Sequence, residues 1–252
     1  FVPMYFMVIN SFKTSTEAAE RSLDWPSTFE IVSNYKNVLT DNNSMIIEAF
    51  INSTLLTFFS ILILVLVGSM AGFVLHRRSG RFFTFANFLI LAGLMVPPAV
   101  VPTIWVLDSI GLFKTLTGMI LVEVALRFPF TVILYRAFMA TIPREIDESA
   151  FIDGAGGFKL FTNIIFPLLK PVTSTIVIVN AVNIYNDFVN PLYFLPSKPT
   201  VQLTLYNFTG MYMSSWNSLF AAAVLISLPP LILFIFFNRR ITEGMTAGAI
   251  KG

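Results

Sequence analysis

The chain has 252 residues, of which 56% are hydrophobic and only 12% are charged, and its formal net charge is +2. A soluble fold needs more charged surface than this, and so small a net charge gives no support for nucleic-acid binding. The chain contains no cysteine, which excludes disulfides and thiolate metal sites. The composition therefore predicts an integral membrane protein.

Apolar windows long enough to cross ~30 Å of hydrocarbon predict the main helices. The apolar residues 1–12 are too few for a span, so we interpret them as the end of a first span whose start is missing. Five complete spans are predicted at about 50–75, 83–107, 118–140, 164–190 and 217–238. We therefore expect an all-α polytopic fold with six transmembrane helices, the first one truncated, in one domain over residues 1–252.

The distribution of lysine and arginine predicts the orientation, because basic residues resist translocation. Segment 13–48 holds three basic and six acidic residues, whereas Arg77, Arg78 and Arg81 follow the second span. We therefore expect 13–48 to be extracellular. Counting spans onward makes the loop 141–163 and the tail 239–252 cytoplasmic.

Two spans carry local features that affect helix packing. Gly68 and Gly72 form a GxxxG pattern, which lets another helix approach closely and most simply indicates packing within the bundle. Pro97, Pro98 and Pro102 remove backbone donors, so the next span is expected to kink or break. A static kink and a bend that moves in function both fit this pattern.

Polar side chains within two later spans are candidates for a solute path. Glu123 and Arg127 are spaced and ordered for an ion pair on one helix, which serves either structure or solute contact. The fifth span has polar residues every three or four positions: Asn180, Asn183, Asn186, Asp187 and Asn190. This spacing predicts one polar side of a helix, and amides with a carboxylate suit hydroxyl-rich solutes. Solvation or hydrogen bonding between helices explains the same stripe.

The loop between the fourth and fifth spans is charged and glycine-rich. Pro143 suits a first helical turn, and carboxylates follow where a helix dipole favours them: Glu145, Asp147 and Glu148. Residues 143–153 therefore predict a short surface helix. Three glycines then permit a sharp turn: Gly154, Gly156 and Gly157.

The same loop has a candidate docking face. Ser149, Ala150 and Gly154 are expected to share one side, leaving a low surface on which another protein can lie. A solvated helical loop is the alternative interpretation.

A family resemblance rests on the same loop. Glu148-Ser149-Ala150, then Gly154 after three residues, then Ile164-Ile165-Phe166-Pro167 after nine more, resembles the EAA signature of binding-protein-dependent ABC importer permeases. Ser149 replaces alanine and Phe166 replaces leucine in that signature. The resemblance implies a type I ABC importer permease fold in which this loop is a coupling helix seated in a cytoplasmic ATPase subunit. It assigns the coupling role to Glu145, Glu148, Ser149, Ala150, Asp153, Gly154 and Pro167.

Other stretches resemble one branch of that family. "WNSLFAAAVLISLPPLILF" and "EGMTAGAIKG" look like the sugar-importing branch, specifically the smaller permease subunit of maltose-type systems. In such systems the C-terminal tail reaches the interface between the two ATPase subunits. The resemblance assigns this contact to Glu243, Gly244, Gly248 and Lys251.

The resemblance also implies partners and a location. The partners are a second permease subunit, a dimer of ATP-binding subunits, an extracellular solute-binding protein and a sugar, in a bacterial or archaeal cytoplasmic membrane. The chain has no GxxxxGK loop, so we expect ATP and Mg²⁺ on the partner ATPases and no cofactor, metal or catalytic residue here.

Three alternatives remain at this point. A secondary transporter is expected to show repeated halves or an intramembrane ion site, and only Glu123 offers a carboxylate for one. A membrane enzyme needs a nucleophile with a base or a metal site, and the chain has one histidine, His76, and no HExxH motif. An ABC permease for a small solute other than a sugar is the third.

Overall fold

The computed structural model describes residues 1–211 and 215–249, with the backbone alone at 41–44, 207–211, 233–234 and 236–249. All elements assigned in these ranges are helices, as the sequence predicts. A π-helical segment (Phe161–Ile165) lies between the eighth and ninth. In chain order the helices are α1 (Val2–Ser11), α2 (Ser15–Ala19), α3 (Ile31–Arg77), α4 (Arg81–Met95), α5 (Val100–Ser109), α6 (Leu116–Met139), α7 (Glu145–Ile152), α8 (Gly157–Leu160), α9 (Phe166–Leu168), α10 (Lys170–Tyr185), α11 (Val189–Phe194), α12 (Val201–Met211) and α13 (Trp216–Ala249).

The helices form two compact units. Unit 1 comprises Phe1–Leu56, Gly111–Met119 and Tyr185–Ile235, and its buried core includes Val38, Ile46, Ala221 and Ala222. Unit 2 comprises Thr57–Ile110, Ile120–Ile184 and the last part of α13. The core of unit 2 includes Val65, Tyr135, Ala150, Leu160, Ile165 and Ile176.

Two described helices are long and apolar enough to cross a membrane by themselves, Met45–Arg77 and Leu116–Met139. Gly157–Leu168 and Lys170–Tyr185, bent by 73°, add a third crossing if they form one span. Shorter apolar helices lie at Val2–Ser11, Arg81–Met95, Val100–Ser109 and Trp216–Ile232. The chain is therefore a helical membrane protein, and the number six stays a prediction.

Helix α3 begins far earlier than the predicted second span. It starts at Ile31, within the polar segment 13–48, and continues without interruption to Arg77. Val38, Ile46 and Ala49 are fully buried in the core of unit 1. Because this apolar face is buried, the helix continues through residues whose composition is too polar to predict a membrane span.

The predicted break in the third span is confirmed. Helix α4 ends at Met95 and α5 begins at Val100, with Pro97 and Pro98 in the non-helical link. Pro102 lies in the first turn of α5, where a missing N–H costs no intrahelical hydrogen bond.

The fifth span departs from the prediction of one helix over 164–190. The chain bends by 73° at Leu169, and the helix that follows ends at Tyr185. Pro171 explains the bend, because it has no N–H for the carbonyl of Pro167 and its ring clashes with that carbonyl in a straight helix.

The GxxxG prediction of close packing is confirmed within unit 2. A Cβ atom built on Gly68 would lie 2.7 Å from Thr131 Cγ2, and one on Gly72 would lie 2.6 Å from Tyr135 Cβ. These distances are shorter than carbon–carbon contacts permit, so α3 can approach α6 only because both positions lack a side chain.

Candidate functional site

Helix α7 forms where the sequence predicts a short surface helix. Its first turn carries three carboxylates, and the N–H of Asp147 donates to the carbonyl of Arg144. The helix ends at Ile152, and Gly154 has φ +76°, a conformation that favours glycine. The predicted sharp turn therefore depends on Gly154 among the three glycines.

One side of α7 is buried. Ala150 is 5% exposed and Asp147 is 8% exposed, and Ala150 belongs to the same core as residues of α3, α6 and α10. The prediction that Ala150 shares an exposed face with Ser149 is wrong. Consecutive residues of an α-helix are about 100° apart, and the small Ala150 side chain fits the packed side.

The opposite side of α7 is exposed, and we call it the exposed stripe. It consists of Glu145, Glu148, Ser149 and Ile152, which have the i, i+3, i+4, i+7 spacing of one helix face. Ser149 Oγ donates to the carbonyl of Glu145 at 2.8 Å, and Ile152 is 87% exposed. Two carboxylates beside a bare isoleucine suit a protein partner with a basic group and an apolar contact.

Arg77, at the end of α3, holds α7 in place. Its Nε lies 2.7 Å from Asp147 Oδ2, and its Nη2 donates to Asp147 Oδ1 at 3.1 Å. Nη2 also donates to the carbonyls of Ile142 and Pro143, at 3.2 and 3.4 Å. Both charges are evident in the sequence, but no local pattern pairs them, since the two residues are 70 positions apart.

A groove of about 600 Å³ lies beside α7 in unit 2. Its walls combine apolar and charged side chains from the end of α3 and from α7 and α8. They include Phe73, Val74, Glu148, Phe151, Phe158 and Phe161. Phe151 and Phe158 are 55% and 72% exposed, so the surface around the exposed stripe is apolar as well as acidic.

The remaining predicted coupling residues follow α7 in the chain. Asp153 is the exposed residue directly after α7, and Gly154 follows it in the turn. Pro167 is exposed in the first turn of α9, directly after the π-helical segment.

Glu123 and Arg127 form the predicted ion pair on α6. The Glu123 side chain is fully buried, and that of Arg127 is 17% exposed. Burial of this kind favours the structural interpretation of the pair over contact with a solute, because a carboxylate enclosed by protein presents little surface to a passing molecule.

The predicted polar stripe does not lie along one helix. Asn180 is buried and donates to the carbonyl of Ile176, and Asn183 is exposed near the end of α10. Asn186 and Asp187 follow the end of α10. Asn186 accepts a hydrogen bond from Gln202 at 3.0 Å.

A local hydrogen bond accounts for part of this difference. Asp187 accepts the backbone N–H and the side-chain amide of Asn190, at 3.1 and 2.6 Å. Aspartate and asparagine side chains compete with helical backbone bonds in this way, so the polar residues that suggested a continuous helix help to start α11 instead.

The predicted tail contacts cannot be placed on side chains. Glu243, Gly244 and Gly248 lie in the helical backbone of α13, where side chains are outside the described residues. Lys251 lies outside the described residues altogether.

Comparison with known families identifies the kind of protein that carries this site. Residues 64–247 match the family described as "Binding-protein-dependent transport system inner membrane component". The chain belongs to this family. It is a permease component of membrane transport, and the family prediction made from the loop is confirmed.

Curated relatives align with the permease along almost its whole length. The melibiose/raffinose/stachyose import permease protein MelC of Bacillus subtilis is 32% identical, over 100% of this chain and 92% of the relative. The diacetylchitobiose uptake system permease protein NgcG of Streptomyces coelicolor is 30% identical, over 99% of this chain and 84% of the relative.

A solved structure confirms the fold of the permease. A chain of a bacterial ABC transporter that imports the acidic polysaccharide alginate superposes with a TM-score of 0.79, covering 94% of this chain and 89% of that one at 18% identity. The all-α importer-permease fold expected from the sequence is therefore the observed one.

Proposed function

We propose that this permease is one of two pore-forming subunits of an ATP-driven, binding-protein-dependent importer of a sugar or oligosaccharide. The names of the relatives support the substrate class, because MelC and NgcG are permeases for oligosaccharides. A second solved complex supports the partners: an alginate transporter bound to a periplasmic protein that carries an alginate pentasaccharide superposes with a TM-score of 0.61. The proposed location is the cytoplasmic membrane of a bacterium or archaeon.

We further propose that α7 is the coupling helix, whose exposed stripe docks on a cytoplasmic ATPase subunit. The observation that carries this proposal is the division of α7 into a buried, anchored side and a bare side of two carboxylates and Ile152. In this role ATP and Mg²⁺ bind to the ATPase subunits, and this chain contributes no catalytic group. Glu148, in the middle of the exposed stripe, pairs with a basic residue of the ATPase.

The transport cycle follows from this assignment. ATP binding closes the ATPase dimer and displaces α7, and the displacement turns the pore outward toward the solute-binding protein. Hydrolysis and separation of the ATPases return the pore to the inward state. The tail beyond Glu243 contacts the ATPase interface in the same cycle.

Two polar residues support a proposed solute path. Asn183 and Asn186 are exposed and carry amides that can donate to and accept from sugar hydroxyls. The buried Asn180 and the Glu123–Arg127 pair are better explained as internal structure.

The Glu148→Arg variant tests the coupling role. Reversing the charge should place two like charges together at the ATPase contact, so we expect at least about a tenfold loss of ATPase subunit retained on the purified permease. ATP-dependent uptake of radiolabelled raffinose, melibiose and diacetylchitobiose into vesicles should fall with it, while the amount of permease in the membrane stays unchanged.

Glu20→Arg is the matched control, because Glu20 is exposed on the segment predicted to be extracellular and makes the same charge change. It should leave ATPase retention intact. Normal retention and normal uptake in the Glu148→Arg variant would contradict docking through the exposed stripe. Uptake of these sugars by the purified chain without ATP or partners would point to a secondary transporter instead.

A further inference from the structure

The last turn of α3 contributes one side chain that joins three parts of unit 2. Arg77 Nη2 donates to Asp147 Oδ1 on α7 and to the carbonyls of Ile142 and Pro143, which follow the end of α6, and Arg77 Nε makes an ion-pair contact with Asp147 Oδ2. Carbonyls in a non-helical link between two helices need partners outside a helix, and a guanidinium satisfies them while also neutralising the carboxylate. Arg77 therefore connects α3, the link after α6, and α7.

The Arg77–Asp147 pair is well placed to resist displacement. The Arg77 and Asp147 side chains are only 9% and 12% exposed, so water screens the pair weakly. One hydrogen bond and one ion-pair contact join the guanidinium to the carboxylate, and together they fix orientation as well as distance. Separating the two groups would leave a charge on each side largely out of water, which is costly.

Helix α3 packs closely against α6. Gly72 lies against Tyr135 and the backbone N of Arg136 so closely that an added Cβ would be 2.6 and 3.3 Å from their atoms. Tyr135 in turn donates its hydroxyl to Thr173 Oγ1 of α10 at 3.0 Å. A movement of α7 must therefore move this helix set or break the Arg77 contacts.

We infer that Arg77 is a positioning residue that carries displacement of α7 into α3 and α6. This inference rests on the proposed coupling role of α7 and adds to it the route by which that helix moves the pore-forming helices. The action is indirect: Arg77 works through Asp147 and the two carbonyls, while the ATPase contact belongs to the exposed stripe. Without the Arg77 side chain, the ATPase subunits should still bind, but ATP should be hydrolysed with less sugar transported.

The test uses the complete importer, purified with its ATPase and second permease subunits and reconstituted with the solute-binding protein. Raffinose, melibiose or diacetylchitobiose taken up is measured per ATP hydrolysed, with the sugar that the wild-type complex transports. Arg77→Gln should lower this ratio about tenfold, within the ~5–150-fold that site-to-site coupling spans, while the ATPase subunits stay bound. Arg77→Lys keeps the positive charge but loses the planar guanidinium with its several N–H donors. Its ratio of sugar transported to ATP hydrolysed should therefore lie between those of Arg77→Gln and the wild type.

Asp147→Asn keeps the shape of the side chain and provides a second variant that removes the pair. Because both residues act through the same contact, the double variant Arg77→Gln/Asp147→Asn should lose no more coupling than the worse single variant. Arg81→Gln is the matched control, since Arg81 is an exposed member of the same basic cluster and should leave the ratio unchanged.

A spin label on an Ile152→Cys background reports on α7 directly, because the chain contains no other cysteine. The label should become more mobile in Arg77→Gln and in Asp147→Asn. A wild-type transport ratio and wild-type label mobility in these two variants would overturn the inference. If Glu148→Arg still retains the ATPase, the proposed docking through the exposed stripe fails; if Glu148→Arg releases the ATPase but the Arg77 variants stay coupled, only the role of Arg77 fails.

Discussion

Gly72 illustrates how one missing side chain sets the distance between two helices. An added Cβ there meets the Cβ of Tyr135 and the backbone N of Arg136, neither of which can rotate away. At Gly68 the nearest atom is the Cγ2 methyl of Thr131, which ends a side chain. Gly68 should therefore tolerate an added methyl group better than Gly72 does.

Gly72→Ala should lower the stability of the permease by about 1–3 kcal/mol, because α3 and α6 must separate to admit the methyl group. Gly68→Ala should cost less. The midpoint of thermal unfolding of the detergent-purified chain measures both. Gly156→Ala is the control, since an added Cβ at Gly156 has nothing within 4 Å and should cost only the small loss of a glycine N-cap on α8. Equal midpoints for Gly72→Ala and Gly156→Ala would contradict the packing argument.

The helical elements differ in how far the sequence predicts them. Helix α7, the turn at Gly154 and the break before α5 depend on local chemistry, namely carboxylates in a first turn, a positive φ and prolines, and all three were predicted. The early start of α3 and the Arg77–Asp147 pair depend on contacts between distant residues, which no local pattern contains. The family signature predicted which loop holds the candidate site, but not what anchors that loop.

The bend between α9 and α10 leads to a prediction at this scale. In Pro171→Ala the restored N–H can donate to the carbonyl of Pro167, so the two helices should straighten. At 1.5 Å per residue, labels at Phe158→Cys and Val179→Cys would be about 25 Å apart with the 73° bend and about 31 Å apart in a straight helix.

Pulsed electron spin resonance on the doubly labelled chain measures this distance. The same label pair in the Pro143→Ala background is the control, because Pro143 lies outside both helices and should not alter the distance. An unchanged distance in Pro171→Ala would show that packing, and not the proline, holds the bend.

The predicted orientation of the whole molecule in the membrane rests only on the distribution of its charged residues. Arg77, Arg78 and Arg81 sit at the end of α3 and the start of α4, whereas the acidic segment 13–48 holds α2 and the beginning of α3. The docking proposal requires α7 to be on the same side as the arginines, because the proposed ATPase partner is cytoplasmic.

Single cysteines at two exposed positions test this sidedness, since the chain has none of its own. In intact cells whose outer layers are permeable to the reagent, a membrane-impermeant maleimide should label the Glu20→Cys variant and spare the Ser79→Cys variant. Disrupting the cytoplasmic membrane should then expose Ser79→Cys. The unsubstituted chain gives the background. Labelling in the reverse order would place α7 outside the cell and exclude ATPase docking.

The π-helical segment Phe161–Ile165 has a consequence for how the loop tolerates change in length. A π turn holds one residue more than the α turn it replaces. Deleting one residue there would convert the π turn into an ordinary α turn and leave α8, with Phe158 and Lys159, at nearly the same rotation about the helix axis, whereas a deletion within an α-helical turn rotates the helix before it by about 100°. A one-residue deletion should therefore be tolerated better in these five positions than in the uninterrupted helical turns of α10.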